Sequence, residues 1–175
     1  MDKITEKLIR GNEQFVKKVN SNKEHLESLD NLKIKQSPAI LVFCCSDSRV
    51  IPEYIFDQFF GELFVIRTAG NVINEGELAS AEYALEHLNI KYVLMMGHTS
   101  CGAVHAAVHN EKGRFLDPIL SRIKINVGET CDEKEASIKN AMAEMEYLKD
   151  KFSYIDGVTY KYALYDIATR VCKIY

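Results

Sequence analysis

Ala39-Ile40-Leu41-Val42-Phe43-Cys44-Cys45-Ser46-Asp47-Ser48-Arg49 is an apolar run that breaks abruptly into a polar turn. A short, uninterrupted run of this kind reads as a buried strand, here Ala39 to Phe43, introduced by Ser37-Pro38. A second run, Tyr92 to Met96, ends in the same abrupt way at Gly97-His98-Thr99-Ser100-Cys101-Gly102. Leu63 to Ile66 supplies a third strand. Helices fall between them, one beginning near Pro52 and one running from about Glu75 to Leu88. Strands separated by helices predict an α/β fold with a central, mostly parallel β-sheet flanked by helices.

Working outward, Met1 to Asn20 reads as an amphipathic helix with Ile4, Leu8, Phe15 and Val19 near one stripe. Cys101 opens a helix that ends near Asn110, and Pro118 to Ile125 has helical spacing. Glu133 to Lys149 is a further helix, with Ile138, Met142, Met145 and Leu148 expected on its buried face. Val158 to Ile167 and Val171 to Tyr175 alternate like strands joined by a turn near Thr169, the last forming a C-terminal edge strand. The expected organisation is a single domain over 1–175, with an N-terminal helical arm at 1–35 and an α/β core at 36–175.

Composition narrows the function classes. The 175 residues are 47% hydrophobic and 27% charged with a net charge of -3, so no basic field is present to recruit nucleic acid or an anionic membrane. No apolar stretch is long enough to span a bilayer, and Met1 to Phe15 lacks the apolar core of a secretion signal. The expected location is cytoplasmic. Five cysteines without an export signal argue against a disulfide framework and leave thiols free for metal. Cys44, Cys131 and Cys172 read as small apolar residues with no special role.

Cys45, His98 and Cys101 carry the chemistry. The first and second lie at the carboxyl ends of predicted strands, where open α/β sheets place their ligands. Two thiols and one imidazole are three ligands for a tetrahedral zinc, which leaves one position for water, the pattern of catalytic rather than structural sites. Cys101 also starts a helix, whose N-terminal dipole favours thiolate. Gly102 removes side-chain bulk beside the metal and leaves its N–H free to approach a ligand. Asp47 can accept a hydrogen bond from metal-bound water or ligate the metal itself. Arg49 offers a planar fork that matches a carboxylate. His105 and His109 lie four apart on one helix face, a spacing that suits a solvated surface pair and also metal chelation.

The ordered motifs C-S-D-S-R-V-x-P-E, R-x-A-G-N (Arg67 to Asn71), S-x-E-Y-A (Ser80 to Ala84) and G-H-T-x-C-G-A-V (Gly97 to Val104) resemble the β-class carbonic anhydrases, in particular their plant-like branch. Leu8 to Val16 is similar to the family's N-terminal helix, and Ala163 to Thr169 to its closing strand. The resemblance implies one zinc per chain on Cys45, His98 and Cys101, with hydroxide in the fourth position attacking CO2. Asp47, held by Arg49, would orient that hydroxide, giving reversible hydration of carbon dioxide to bicarbonate and a proton. Gln36, Phe64, Ala69 and Tyr83 match the family's substrate pocket, with the Gly102 amide as a further hydrogen-bond donor. In that branch the pocket is lined from two subunits, which implies a homodimer or a dimer of dimers.

Several positions depart from the family pattern. Thr68 and Ser100 stand where other residues are common, Arg170 replaces a usual glycine, and the segment between Gly113 and Glu133 is short. The chain has no tryptophan, so the tryptophan-based bicarbonate site of some relatives is absent in that form. Two alternatives remain open from sequence. One is hydrolysis of carbonyl sulfide or carbon disulfide at the same site. The other is a non-catalytic zinc- or bicarbonate-binding protein in which Asp47 closes the metal.

Overall fold

Asp2 begins the first helix by accepting the Ile4 and Thr5 amides on its Oδ1, each at 3.0 Å, which satisfies two of the donors every helix start leaves unpaired. In the computed structural model, which describes residues 2–21, 29–30 and 32–175, this helix is α1, Lys3–Ser21. Its apolar stripe is uneven, with Val19 buried and Ile4 and Leu8 about two-thirds exposed (67% and 68%). The chain forms two units, Met1–Ser37 and Pro38–Tyr175, each described by itself. Gln36 belongs to the N-terminal unit, where it is exposed.

The second unit is built on five strands: β1 (Ile40–Cys45), β2 (Leu63–Thr68), β3 (Tyr92–His98), β4 (Thr159–Tyr165) and β5 (Cys172–Ile174). Their order is β2-β1-β3-β4-β5, parallel except for the antiparallel β5 edge. This is the expected sheet. The helices are α2 (Pro52–Ile55), α3 (Glu75–Glu82), α4 (Gly102–Val108), α5 (Asp117–Val127) and α6 (Glu133–Lys151). α3 runs on into a π-helical turn, Tyr83–His87, which completes the segment predicted as a helix to Leu88.

Alternation along β1 and β3 explains why their sequences are apolar throughout. Leu41, Phe43, Val93 and Met95 face one layer with Leu85 of the π turn and Met145 and Leu148 of α6. Val42, Cys44, Leu94 and Met96 face the other with Val50, Ala163 and Tyr165. Both faces are covered, as expected of parallel strands.

The buried face of α6 differs from expectation. Met145 and Leu148 are buried, but Met142 is 41% exposed and Ile138 only partly covered. The helix instead buries Ala136, Ser137, Asn140, Ala141 and Glu144. Small residues are needed because β3 approaches closely. A Cβ added to Gly97 would stand 2.8 Å from the Ser137 carbonyl oxygen. Ser137 donates to the Glu133 carbonyl one turn back at 2.8 Å, and Asn140 and Glu144 are satisfied by long-range partners. Fully buried Glu144 accepts from Arg122 Nε and Asn126 Nδ2, each at 2.7 Å, and from the Ile73 amide at 3.2 Å.

The backbone at Arg170 explains why glycine is usual at that position. It has φ 64°, in the left-handed region that glycine enters without penalty. Asp166 shapes the turn before it, its Oδ1 accepting the Ala168 and Thr169 amides at 3.0 and 3.1 Å.

Candidate active site

Cys45 and His98 are the last residues of β1 and β3. Register pairs Cys44 with Met96, so the two neighbouring strands end together. The connection from β1 leads to β2 on one side, and the chain then crosses to β3 on the other. The β1/β3 boundary is therefore the point where strand order reverses, the location at which such sheets bind ligands. After His98 the chain turns through Thr99 and Ser100, the latter left-handed at φ 55°. Cys101 then stands at the N-cap of α4. Thr99 ties this loop to the sheet, donating its amide to the Tyr165 carbonyl at 3.0 Å and accepting the Ile167 amide on Oγ1 at 3.0 Å.

One donor atom each from Cys45, His98 and Cys101 lies within 4.8 Å of the other two, and all three residues are buried. The sulfurs are 3.9 Å apart. Thiolates about 2.3 Å from a tetrahedral zinc stand roughly 3.8 Å apart, so the spacing is that of one edge of such a site. His98 Nδ1 lies 2.9 Å from the Thr99 carbonyl, which can only accept, so this nitrogen carries the proton. Nε2 keeps the lone pair in the neutral ring, and it is buried without a hydrogen-bond partner. A buried, unpartnered imidazole nitrogen facing two thiols is the chemistry of a metal-ligand set.

The thiols behave as a pair. The hydrogen bond from Cys101 holds the Cys45 thiol far below its usual range, against its burial, and His98 and the Gly70 amide contribute in the same direction. The same contact with Cys45, together with burial, pushes Cys101 up. One proton is thus held between two sulfurs, and a dication can take its place. The Ala103 and Val104 amides in the first turn of α4 favour the Cys101 thiolate, as the helix start predicted. Burial pushes Cys44, on the opposite sheet face, up to about 12, which keeps it an inert thiol.

Beyond Cys45 the chain forms the turn that carries Asp47 and Arg49. Arg49 Nε donates to Asp47 Oδ1 at 2.9 Å and Nη2 to Oδ2 at 2.7 Å, a bidentate fork. The Arg49 amide adds a third donor to Oδ1 at 2.9 Å, and Nη2 also reaches the Ser100 carbonyl at 3.1 Å. These bonds, the Arg49 side chain above all, hold the Asp47 carboxyl well below the usual carboxylate range. Arg67 staples the turn from β2, donating from Nε to the Cys45 carbonyl at 3.2 Å and from Nη2 to the Asp47 carbonyl at 2.7 Å. Sequence reasoning quoted Arg67 within R-x-A-G-N but gave it no role. The signal was present, since an arginine ending a strand beside the metal segment has backbone carbonyls within reach.

Of the residues matched to the substrate pocket, Phe64 and Tyr83 are brought together, with ring centroids 6.2 Å apart. Phe64 is half-buried on edge strand β2, and Tyr83 opens the π turn and is 45% exposed. Ala69 begins the 3-10 turn Ala69–Asn71 that follows β2 and is partly buried. Gly102 is exposed, and a Cβ there would meet nothing within 4 Å, so packing within the chain does not require its missing side chain. Gln36 lies in the other unit.

Packing does require the glycine at Gly70. It has φ 64°, an added Cβ would stand 2.7 Å from Ile123 Cδ1, and its N–H donates to Cys45 Sγ at 3.3 Å. Asn140 Nδ2 holds the Gly70 carbonyl at 2.8 Å and Asn126 holds the Asn140 oxygen at 2.9 Å. The buried polar face of α6 therefore supports a thiol of the ligand set.

Fold and site together define a parallel α/β protein with a two-thiol, one-imidazole group that could hold a metal at the sheet's switch point. The chain belongs to the carbonic anhydrase family, whose sequence profile matches residues 40–154. Carbonic anhydrase 2 of Mycobacterium tuberculosis is 45% identical over 104 residues, covering 58% of this chain and 49% of that protein. The chain thus matches about half the length of this curated relative. Solved β-class structures are among its structural neighbours. The β-carbonic anhydrase CcaA superposes with a TM-score of 0.85 at 28% identity, covering 99% of this chain and 88% of that one. A tetrameric β-carbonic anhydrase from the filamentous ascomycete Sordaria macrospora gives 0.84 at 25% identity, covering 99% and 97%.

Proposed function

We propose that this chain catalyses the zinc-dependent reversible hydration of carbon dioxide to bicarbonate and a proton. One observation carries the reading: the unpartnered His98 Nε2 faces two thiols 3.9 Å apart, beside a carboxylate clasped by arginine. Cys45, His98 and Cys101 would hold one zinc per chain. Bound there, zinc supplies a Lewis acid that lowers the pKa of water toward neutrality.

The remaining work falls to the chain's own residues. Asp47, kept ionised by Arg49, accepts a hydrogen bond from the reacting water and orients it toward the carbon of CO2. Engagement of both Asp47 oxygens by Arg49 supports a resting site in which the carboxylate stays off the metal. Phe64, Ala69 and Tyr83 form an apolar wall suited to a nonpolar gas. The Gly102 amide is a donor to a substrate oxygen. Bicarbonate leaves and a proton passes to solvent, which balances the addition of water to CO2.

Half-buried Phe64 and exposed Tyr83 support a homodimer, or a dimer of dimers, in which a second subunit completes the pocket as in the plant-like branch. A metal site built on thiols suits the reducing cytoplasm, where we place the protein. Among the described residues no helix is long and apolar enough to cross a membrane. Stopped-flow CO2 hydration by zinc-loaded protein between pH 7 and 9 tests the reading, with carbonyl sulfide assayed in parallel. Turnover of CO2 is expected, and inactivity toward CO2 across that range would overturn it.

A further inference from the structure

Among the described residues, a second cluster of ligand-bearing side chains lies along the helix that Cys101 begins. His105 and His109 stand one turn apart on α4, with ring centroids 4.1 Å apart and planes inclined by 32°. Glu133, the first residue of α6, reaches across so that its Oε1 lies 2.6 Å from His105 Nδ1. One donor atom from each of the three lies within 4.8 Å of the other two. Unlike the buried set, this one faces water, with the His105 side chain 51% exposed.

The hydrogen bonds select the donor atoms. His109 Nδ1 is 2.9 Å from the His105 carbonyl, which only accepts. That nitrogen therefore carries the proton, and Nε2 presents its lone pair in the neutral ring. A histidine with one nitrogen tied to a carbonyl and the other offered is oriented as metal ligands are. At His105, Nδ1 already meets a carboxylate oxygen, and a divalent cation can take the place of that contact.

We infer that His105, His109 and Glu133 form a second divalent-metal site, separate from Cys45, His98 and Cys101. Two imidazoles and one carboxylate select a borderline transition ion such as Zn2+, Co2+ or Ni2+ over Mg2+ or Ca2+, which take all-oxygen shells. Histidines at i and i+4 form a one-turn chelate, and Glu133 closes it from a second helix, with water completing the coordination. An ion there pins α4 to α6. It also fixes the helix whose first turn supports the Cys101 thiolate. The inference stands independently of the CO2 reading, because neither histidine belongs to that site.

Cobalt titration of protein already carrying one zinc per chain tests this, read by calorimetry and by the visible absorption of bound Co2+, with zinc content measured throughout. One further ion should bind with zinc retained. His105→Ala and His109→Ala should each weaken cobalt binding at least about tenfold, and Glu133→Gln should weaken it too. Cys131→Ser should leave it unchanged, as should a large excess of Mg2+. Circular dichroism and retained zinc report that each variant is folded. Cobalt that only displaces zinc, or that binds His109→Ala as it binds the parent, would overturn the site. So would cobalt binding that disappears in Cys131→Ser, because the exposed thiol would then be the ligand.

Discussion

The Gly70 amide donates to Cys45 Sγ at 3.3 Å from a backbone held left-handed at φ 64°. No other residue supplies that bond as easily. A Cβ at this position meets Ile123 Cδ1 at 2.7 Å and Ala103 Cβ at 3.1 Å. Gly70→Ala is expected to cost about 1–2 kcal/mol from backbone conformation alone, with the clash in addition. Chemical denaturation measures that loss. Zinc affinity should also fall, because the shifted amide no longer supports the thiolate.

Arg49 acts on Asp47 rather than on the metal, so the two effects separate. Arg49→Ala should lower CO2 hydration by roughly 10–100-fold, the usual cost of losing an orienting partner, while zinc content stays at the parent level. Unchanged turnover in this variant would show that Asp47 needs no such support.

The same pair sets an acid limb. Arg49 holds the folded-state pKa of Asp47 below its unfolded value, so folding binds fewer protons there. The stabilisation is complete above about pH 4, the ordinary aspartate range, and is lost as pH falls toward the folded value. Melting temperatures from pH 7 to pH 3 should fall less steeply at the acid end in Arg49→Ala than in the parent.

Glu144 is fully buried and depends on Arg122, so removing the arginine leaves a carboxylate with its charge uncompensated. Arg122→Ala should destabilise the protein by about 3 kcal/mol, read by urea denaturation. Arg122→Ala combined with Glu144→Gln should recover part of that loss. Equal stability of the single and double variants would show that the charge is not the cause.

Arg170 offers the opposite sign. Its left-handed backbone, φ 64°, favours glycine, so Arg170→Gly should stabilise the chain by about 1 kcal/mol, seen as a higher melting temperature.

These predictions draw unequally on the sequence. β1 and β3 were legible because each is apolar on both faces and ends in a motif. The grouping of Cys45, His98 and Cys101 followed from where those motifs fall, although Cys45 and His98 close their strands rather than following them. The buried face of α6 was not legible. Hydrophobic periodicity favoured Ile138 and Met142, whereas Asn140 and Glu144 are buried because Arg122, Asn126 and Gly70 bond to them from distant segments. Such pairings leave no local pattern. Arg67 was hidden for the same reason, since its partners are backbone carbonyls 20 and 22 residues away. The π turn that presents Tyr83 likewise has no signature distinct from an ordinary helix.

The most direct measurement is CO2 hydration as a function of zinc added to metal-free protein, in the parent and in Cys101→Ser. Parent activity should rise linearly and level off at about one zinc per chain, the stoichiometry of a single three-ligand site, while Cys101→Ser stays near the uncatalysed rate. Activity that does not depend on zinc, or that survives in Cys101→Ser at the parent level, would contradict the account.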